Sequence, residues 1–344
     1  MSVESGAAVA GSGVRVGVPR ALWYYTFYPF WRALFAGMGA SLIPSQPTTK
    51  GILDAGILET VSEACVPIKV FLGHVQDLRE TWQRGQIDML FLPRYVSWQG
   101  GLIFCPKFLG LPDMVRYAFD SLPPLLTVRI DRRRGPFALL RVCDEIRRQL
   151  GAGKRTLWKA YRSAWRAQAL HEKRLRENWR PTESISGQRR RRPAVTGNAR
   201  RPLRLAVLGY PYLVYDEYVS LGLLDKLEAM GVEVVTADTL RAQQKQLRHH
   251  KQKDLFWEYS EMVKTVGYYA LSPACQEIDG VIHVTAFACG PDAMVNKLLE
   301  LEARKEDRKA FLSLGLDEET GEAGCLTRLE AFVDMLHRSS RLGV

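Results

Sequence analysis

The sequence lacks several features that would define its class at once. Its 344 residues contain no uninterrupted apolar run of about 18 residues, which is the minimum for a membrane-spanning helix. Residues 1–13, MSVESGAAVAGSG, have neither the basic start nor the apolar stretch of a signal peptide, and we expect a disordered tail there. The sequence therefore predicts a cytoplasmic protein with reduced thiols, whose six cysteines suit metal or redox chemistry better than disulfides.

Common ligand-binding signatures are also missing. Neither GxxxxGK[ST] nor GxGxxG occurs, so no phosphate-binding loop is predicted. The six histidines form no HExxH pair, and His249-His250 lies in a Lys/Gln-rich stretch that indicates an exposed surface. The cysteines are not arranged in the paired Cys-x-x-Cys hooks of structural zinc sites, which argues against zinc.

The positive charge is concentrated in one segment. The net charge is +11, but Arg129 to Arg204 holds 23 Lys and Arg against 6 Asp and Glu, and the remainder holds 25 against 31. A basic insert on an otherwise acidic chain is more typical of a solvated face or a linker than of a nucleic-acid-reading surface. This distribution argues against nucleic-acid binding, which stays the third hypothesis for function.

Composition and periodicity predict a two-lobed α/β protein. Hydrophobic residues make up 47% and charged residues 25%, as in ordinary globular proteins, and the length suits two domains. Apolar runs predict strands at Val14–Val18, Ala40–Ile43, Met89–Leu92, Leu203–Gly209, Val232–Val235 and Gly280–Val284. Helical spacing predicts helices at Leu22–Gly39, Ile52–Ala64, Lys154–Trp179 and Tyr218–Met230. Because strands and helices alternate, we expect parallel sheets in two similar α/β lobes.

The predicted boundaries follow from composition. After the tail at 1–13, an N-terminal lobe spans 14–150, a long amphipathic basic helix 151–180, a basic linker 181–202 and a C-terminal lobe 203–344. In the long helix, Trp158, Tyr161 and Trp165 form a stripe that predicts packing against the core.

Three cysteines share a local pattern. Cys65, Cys105 and Cys289 are each followed within two residues by a proline, and each lies beyond a predicted strand or at a helix start. In open α/β sheets, ligand sites form at such places. Spacing alone also suits ordinary burial, since cysteine is among the most buried residue types. Cys143, Cys275 and Cys325 have weaker contexts that indicate packing, and their roles stay open.

Longer motifs around these cysteines resemble a known family along nearly the whole chain. They are VGVPRALWYYTFYPFW (16–31), EACVPIKVFLGHV (63–75), FLPRYVS (91–97), FCPKFLGLPDMVR (104–116), LGYPYLVYDEYVS (208–220), VTAFACGPDAMV (284–295) and DEETGEAGCLTRLEAFVDML (317–336). The chain is similar to proteins related to 2-hydroxyacyl-CoA dehydratases and their activases, namely the CoA-substrate-specific activase-associated domain and the double-cubane cluster proteins. The resemblance implies two Rossmann-like lobes that hold an iron–sulfur cluster between them.

The resemblance implies a site and a chemistry. It makes Cys65, Cys105 and Cys289 the ligands of a 4Fe–4S or double-cubane cluster, with no catalytic base named. The implied function is low-potential one-electron chemistry on an acyl-CoA-type or other small substrate, either as a dehydratase-type lyase or reductase or as a non-catalytic electron-transfer partner. An ATP-dependent activator protein would be separate, because the chain has no nucleotide motif, and a homodimer or a heterodimer with a similar subunit is expected.

Some residues of the shared motifs have open roles. Lys69, Lys107, Arg94 and Arg328 would contact an anionic ligand or partner, or else form ordinary salt bridges. Two departures from the family pattern are the basic run Arg189 to Arg192 and Cys325, which stands where an aliphatic residue is expected.

Overall fold

The computed structural model describes residues 13–99, 101–191, 202–241, 255–306 and 308–342. Residues 1–12 of the expected tail, Arg192 of the basic run and the His249-His250 pair lie outside this part. The described chain forms two units. The first comprises the described residues of Met1–Ala64, Ile68–His171 and Phe256–Glu258, and the second those of Cys65–Pro67, Glu172–Leu255 and Tyr259–Val344.

The first unit is built on short parallel strands. Its strands are β1 Arg15–Val18, β2 Ser41–Pro44, β3 Met89–Phe91, β4 Arg94–Ser97, β5 Leu125–Leu126 and β6 Arg129–Asp131. Its helices are α1 Tyr24–Gly37, α2 Lys50–Leu58, α3 Val66–Gln83, α4 Pro106–Ala118, a 3₁₀ turn at Arg132–Arg134 and α5 Ala138–Gln149. Helix α6, Lys154–Arg176, contains the boundary between the units, at residues 171 and 172.

The second unit repeats this alternation. Its strands are β7 Arg204–Gly209, β8 Glu233–Thr236, β9 Gly280–Ala286 and β10 Ala310–Leu316. Its helices are α7 Pro181–Ser186, α8 Pro211–Val214, α9 Leu223–Ala229, α10 Ala237–Arg241, α11 Glu258–Leu271, α12 Gly290–Ala303 and α13 Glu322–Leu342.

The two main sheets have the same strand order. In the first unit it is β2-β1-β3-β5, and in the second β8-β7-β9-β10. Every described strand pair is parallel, with Val16 opposite both Leu42 and Met89 and with Leu208 opposite His283. In each sheet the second and third strands flank the first, which creates a topological switch point between the first and third strands. The α/β fold class with parallel sheets is thus confirmed, and within the described residues no helix combines the length and apolarity needed to cross a membrane.

Burial of both sheet faces accounts for the strands that the sequence predicts. Five of the six residues of β7 and six of the seven of β9 are buried. A strand covered on both faces needs continuous apolar residues, so it is visible as an uninterrupted run. The two polar residues of β9 are His283, which is fully buried, and Thr285, which is half-buried.

An aromatic cluster forms the core of the first unit. Trp23, Phe27 and Trp31 of the α1 region pack on Phe91 and Tyr95, with ring centroids 5.1–5.7 Å apart. The buried indole of Trp31 donates a hydrogen bond to the hydroxyl of Tyr95 at 2.6 Å. Because the polar tips of these rings are paired inside the core, they can be buried at little cost.

The buried face of α6 differs from the predicted one. Ala160, Ala164 and Gln168 are buried, whereas Trp158 is 60% exposed. A Cβ placed on Gly37 of α1 would lie 2.7 Å from the Cβ of Ala160, so the two helices approach at small residues. The prediction that the Trp158 stripe faces the core is therefore wrong for Trp158, because close helix contact selects small side chains instead.

Two helices have an end at least five residues away from the predicted one. The helix expected at 52–64 ends at Leu58, and the Thr60 hydroxyl donates to the backbone carbonyl of Gly56 just beyond that end. The helix expected at 218–230 begins only at Leu223, because Leu221 and Gly222 both have left-handed φ values of 54° and 65°. Local side-chain hydrogen bonds and left-handed residues interrupt a helix without changing its apolar periodicity.

The predicted linker at 181–202 also differs in part. Residues Pro181–Ser186 form helix α7, at whose N-terminus the backbone N–H of Arg180 donates to the Glu183 carboxylate at 2.8 Å. Arg180 further forms ion pairs with Asp225 at 2.6 Å and Glu228 at 3.0 Å. The first residues of the predicted linker therefore belong to the second unit, while residues 192–201 lie outside the described chain.

Candidate functional site

Cys105 lies at the start of α4 in the first unit. It is the N-cap residue, with extended φ and ψ of −62° and 158°, and Pro106 is the first helical residue. Proline suits this position because its missing N–H would have no partner in the helix. The preceding loop is held by residues 256–258, since the Glu258 carboxylate accepts from the backbone N–H of Gln99 at 2.7 Å and also from that of Trp98.

Cys289 has the corresponding place in the second unit. It is the N-cap residue of α12, with φ −92° and ψ 97°, and Pro291 is the second helical residue. Ala288 before it has a left-handed φ of 61°, a conformation that is costly for a residue with a Cβ. The chain therefore turns sharply between the end of β9 and the half-buried Cys289.

Cys65 precedes a helix as well. It is the residue before α3, Pro67 is the second residue of that helix, and 7% of Cys65 is exposed. Although α3 belongs mainly to the first unit, residues 65–67 belong to the second. Cys65 and Cys289 are thus in the second unit and Cys105 is in the first.

The three cysteines therefore share one local environment. Each directly precedes a helix, of 18, 13 and 14 residues for α3, α4 and α12. The first N–H groups of a helix have no partner within the helix, and its dipole is positive at that end, so an anionic group can be bound there. Cys105 and Cys289 also occupy equivalent topological positions, since each lies in the connection that leads from the third strand of its sheet to the next helix. This connection borders the switch point where open parallel sheets bind ligands.

The described residues contain no ready-made metal-binding group of side chains. Within the described residues, no three His, Cys, Asp or Glu side chains come together as a group that could hold a metal ion. Ligation of a cluster by Cys65, Cys105 and Cys289 therefore stays a prediction.

The other cysteines have packing environments. Cys143 on α5 is fully buried, and burial raises the pKa of its thiol far above the usual range. Cys275 is buried in the loop before β9, where its backbone carbonyl accepts from Lys309. Cys325 on α13 is buried beside a cavity of about 230 Å³, and burial raises the pKa of its thiol. A raised thiol pKa makes a poor nucleophile and a poor metal ligand.

The basic residues of the shared motifs with described contacts form ordinary interactions. Arg94 forms an ion pair with Asp113 at 2.5 Å and donates to the backbone carbonyl of Leu109. Arg328 donates to the backbone carbonyl of Ser313 at 2.6 Å. These contacts fit structural roles for both arginines.

A buried pair beside Cys289 was not singled out from the sequence. His283 on β9 and Asp292 in the first turn of α12 are both fully buried, with Nε2 and Oδ1 3.3 Å apart. His283 Nδ1 lies 2.9 Å from Asn296 Oδ1, which also accepts from the Ser313 hydroxyl at 2.7 Å. Because Asn296 Oδ1 is an acceptor, Nδ1 of His283 carries a proton. Nε2 of His283 needs a second proton to donate to the Asp292 carboxylate, so the geometry suits an imidazole ring that is protonated on both nitrogens.

The electrostatics of this pair agree with that assignment. Burial lowers the pKa of His283, but the Asp292 carboxylate and the Asn296 side chain together raise it above its usual value. Neither carboxylate oxygen of Asp292 has an aligned hydrogen-bond partner among the described residues. A histidine in the middle of the apolar run of β9 was the available sequence signal for this pair.

Fold and cysteine placement together define a protein of two similarly wound α/β units with thiols at helix N-termini. The family described as "CoA enzyme activase uncharacterised domain (DUF2229)" matches residues 15–240, and the chain belongs to this family. The matched region contains Cys65 and Cys105, whereas Cys289 lies beyond it.

Other comparisons add little. No curated protein matches the chain. Among solved structures, a protein of Silicibacter pomeroyi DSS-3 assigned as a phosphosugar isomerase is 10% identical, with 96% of this chain and 87% of that chain covered at a TM-score of 0.21. That similarity is too low to support an inference about fold or function.

Proposed function

We propose that this CoA enzyme activase-related protein holds an iron–sulfur cluster through Cys65, Cys105 and Cys289 and takes part in low-potential one-electron chemistry on acyl-CoA-type substrates. The observation that supports the proposal is the shared position of the three cysteines directly before helices with proline in the first turn. At such a position the backbone N–H groups of the helix start would face an anionic cluster, whose iron takes cysteine sulfur as its ligand.

The donor chemistry fits such a group. Thiolates are the soft ligands that select iron–sulfur clusters, and each of the three cysteines directly precedes a helix. Cys143, by contrast, is fully buried with a raised thiol pKa, so we do not include it in the ligand set. A bound cluster would supply one-electron transfer, and an iron with an open position would supply Lewis acidity.

Family membership favours a role in activation. Because the family is described by its relation to CoA enzyme activases, the chain would pass an electron to a CoA enzyme or receive one from an ATP-dependent activator. The alternative is that the chain itself dehydrates a 2-hydroxyacyl-CoA, as its resemblance to the dehydratase subunits implies. Both roles need the same three thiolates.

Anaerobic purification followed by iron and sulfide assays tests the cluster. We expect about four irons and four sulfides per chain for a 4Fe–4S cluster, or about eight of each for a double cubane, with charge-transfer absorbance in the visible range. Replacing Cys65, Cys105 or Cys289 by Ser should abolish that absorbance, and the matched control Cys143→Ser should retain it. Protein that contains no iron after anaerobic reconstitution would exclude the proposal.

A turnover assay separates the two roles. Purified cluster-loaded protein is mixed anaerobically with a 2-hydroxyacyl-CoA, ATP and an activator protein reduced beforehand, which supplies the electron, and formation of the enoyl-CoA is followed. Dehydration in this mixture would show the chain to be the enzyme. Cluster reduction without dehydration would support an electron-transfer role, and dehydration that is independent of the activator would contradict the electron-injection chemistry.

A further inference from the structure

The solvent face of α6 carries a row of basic side chains within the first unit. Arg155, Lys159, Arg162 and Arg166, here called the basic ridge, are all exposed and are spaced four, three and four residues apart. At about 100° per residue they lie within roughly 60° of one another around the helix, and they extend for about 17 Å along its axis. The ridge is separate from the cysteine positions.

The helix gains no stability from this arrangement. Residues three and four apart on a helix are neighbours, so like charges there repel. The first turn of α6 contains no acidic residue, and the ridge begins in that turn, where the helix dipole disfavours positive charge. No Asp or Glu occurs between Glu145 and Glu172, and among the described residues no ridge side chain has an ion-pair partner.

Among the described residues, the neighbouring 3₁₀ turn at Arg132–Arg134 adds positive charge beside the ridge rather than an acidic partner. Arg132 of the 3₁₀ turn packs over the Trp165 ring of α6 at 5.6 Å and adds a further positive charge to this side of the helix. Arg129 and Arg133 both form ion pairs with Asp131, so the charge of that carboxylate is already matched near the turn. A solvated helix face ordinarily mixes acidic and basic residues because such pairs stabilise it. An unbroken basic ridge therefore leaves room for counter-charge from another molecule.

We propose that the basic ridge is the docking surface for an acidic protein partner whose carboxylates supply this counter-charge. Exposed apolar side chains accompany the ridge, with Trp158 60% and Leu170 48% exposed. Arginine and tryptophan are the residues most enriched where protein interfaces gain their binding energy. The inference does not rest on the cluster, since the ridge and the cysteines are separate features.

Other classes of partner fit the surface less well. A helix that binds a membrane surface needs an exposed apolar face, whereas α6 buries its neutral face of Ala160, Ala164 and Gln168 against its own unit. Single-stranded nucleic acid is bound by successive exposed rings, whereas the Trp158 ring here is stacked on Tyr161, with centroids 6.1 Å apart and an interplanar angle of 24°.

Fluorescence anisotropy on the full chain tests this proposal. The probe is a fluorescein-labelled helical peptide with glutamate at positions i, i+4, i+7 and i+11. The ridge variant is Arg162→Glu/Arg166→Glu, and the control is Arg84→Glu/Arg338→Glu, which removes the same charge from exposed positions elsewhere. Because the ridge variant relieves like-charge repulsion, its thermal midpoint should be equal to or above that of the native chain. Should it unfold, Arg162→Gln/Arg166→Gln replaces it.

We expect the ridge variant to bind the peptide at least about tenfold more weakly than the native chain, and the control to bind within about twofold. Affinity should fall as salt rises from about 50 to about 300 mM, because screening shortens the reach of the charges. Equal weakening in ridge variant and control would refute a specific surface. Tighter, ridge-dependent binding of oligo-dT or of phosphatidylserine vesicles than of the peptide would refute a protein partner.

Discussion

Helices α2 and α3 cross at two glycines, and replacing one of them offers a sharp test of the packing. A Cβ placed on Gly73 would lie 1.8 Å from the backbone carbonyl oxygen of Ile52, and one placed on Gly56 would lie 1.8 Å from that of Lys69. Carbon and oxygen normally approach to about 3.3 Å, so Gly73→Ala would push the helices apart by about 1.5 Å. The opposing atoms belong to the backbone and cannot rotate away.

The expected destabilisation follows from two opposing effects. Overpacking of this kind costs about 3 kcal/mol, while alanine in place of glycine inside a helix contributes about 1 kcal/mol of stability. Gly73→Ala should therefore lower the free energy of unfolding by about 2 kcal/mol. Gly110→Ala is the matched control, because a Cβ there meets nothing closer than Met114 at 3.9 Å and should raise that free energy by about 0.5–1 kcal/mol.

Tryptophan fluorescence during urea unfolding measures this difference. Seven of the eight tryptophans, all except Trp179, belong to the first unit, so the signal reports on the unit that contains the crossing. The double variant Gly56→Ala/Gly73→Ala should be less destabilised than the sum of the two single variants, since one separation relieves both contacts. Free energies for Gly73→Ala and Gly110→Ala within about 0.5 kcal/mol of each other would refute the close crossing.

Three further predictions concern buried and half-buried titratable groups. The pKa of His283 is raised in the folded protein, so its contribution to stability should be complete below about pH 6.5. That contribution should disappear as the pH rises through the pKa of His283 in the folded protein. Urea unfolding of His283→Gln at several pH values should not show this loss of stability. Burial lowers the pKa of His74 to about 3, so the free energy of unfolding should fall by on the order of 4 kcal/mol as the pH drops from about 6.5 towards 3. His74→Gln should remove this part of the pH dependence. If the variant loses as much stability in acid as the native protein, the prediction is wrong. In the native protein without bound metal, iodoacetamide should alkylate the half-buried Cys105 and Cys289 and leave the fully buried Cys143 unmodified. Peptide mass spectrometry measures the extent of modification at each cysteine. Faster modification of Cys143 than of Cys105 and Cys289 would contradict its burial.

Much of the sheet architecture could be predicted from the sequence because the main strands are buried on both faces. Strands such as β7 and β9 are covered on both faces, so they consist of almost uninterrupted apolar residues. Alternation of such runs with helical periodicity predicts parallel pairing, and the described sheets confirm it. Helix ends are less readable, since Thr60 and the left-handed pair at Leu221 and Gly222 act through local hydrogen bonds and backbone angles that periodicity does not register.

In the candidate site, too, features set by local sequence could be predicted and contacts between separate elements could not. A proline one or two residues after Cys105 and Cys289 is typical of a helix start, and α4 and α12 begin at these positions. The His283–Asp292 pair was invisible because its partners come from a strand and from the helix that follows it. Whether the three cysteines share a cluster stays a prediction.

By itself the sequence determined the α/β class, most strand positions and the cysteines that begin helices, because these depend on local periodicity and on proline. Tertiary structure alone decided which face of α6 is buried. Gly37 and Ala160 are more than one hundred residues apart, and their small size matters only once α1 and α6 touch. The same contact leaves Trp158 and the basic ridge on the solvent side, since a helix that buries its small residues must expose the opposite face.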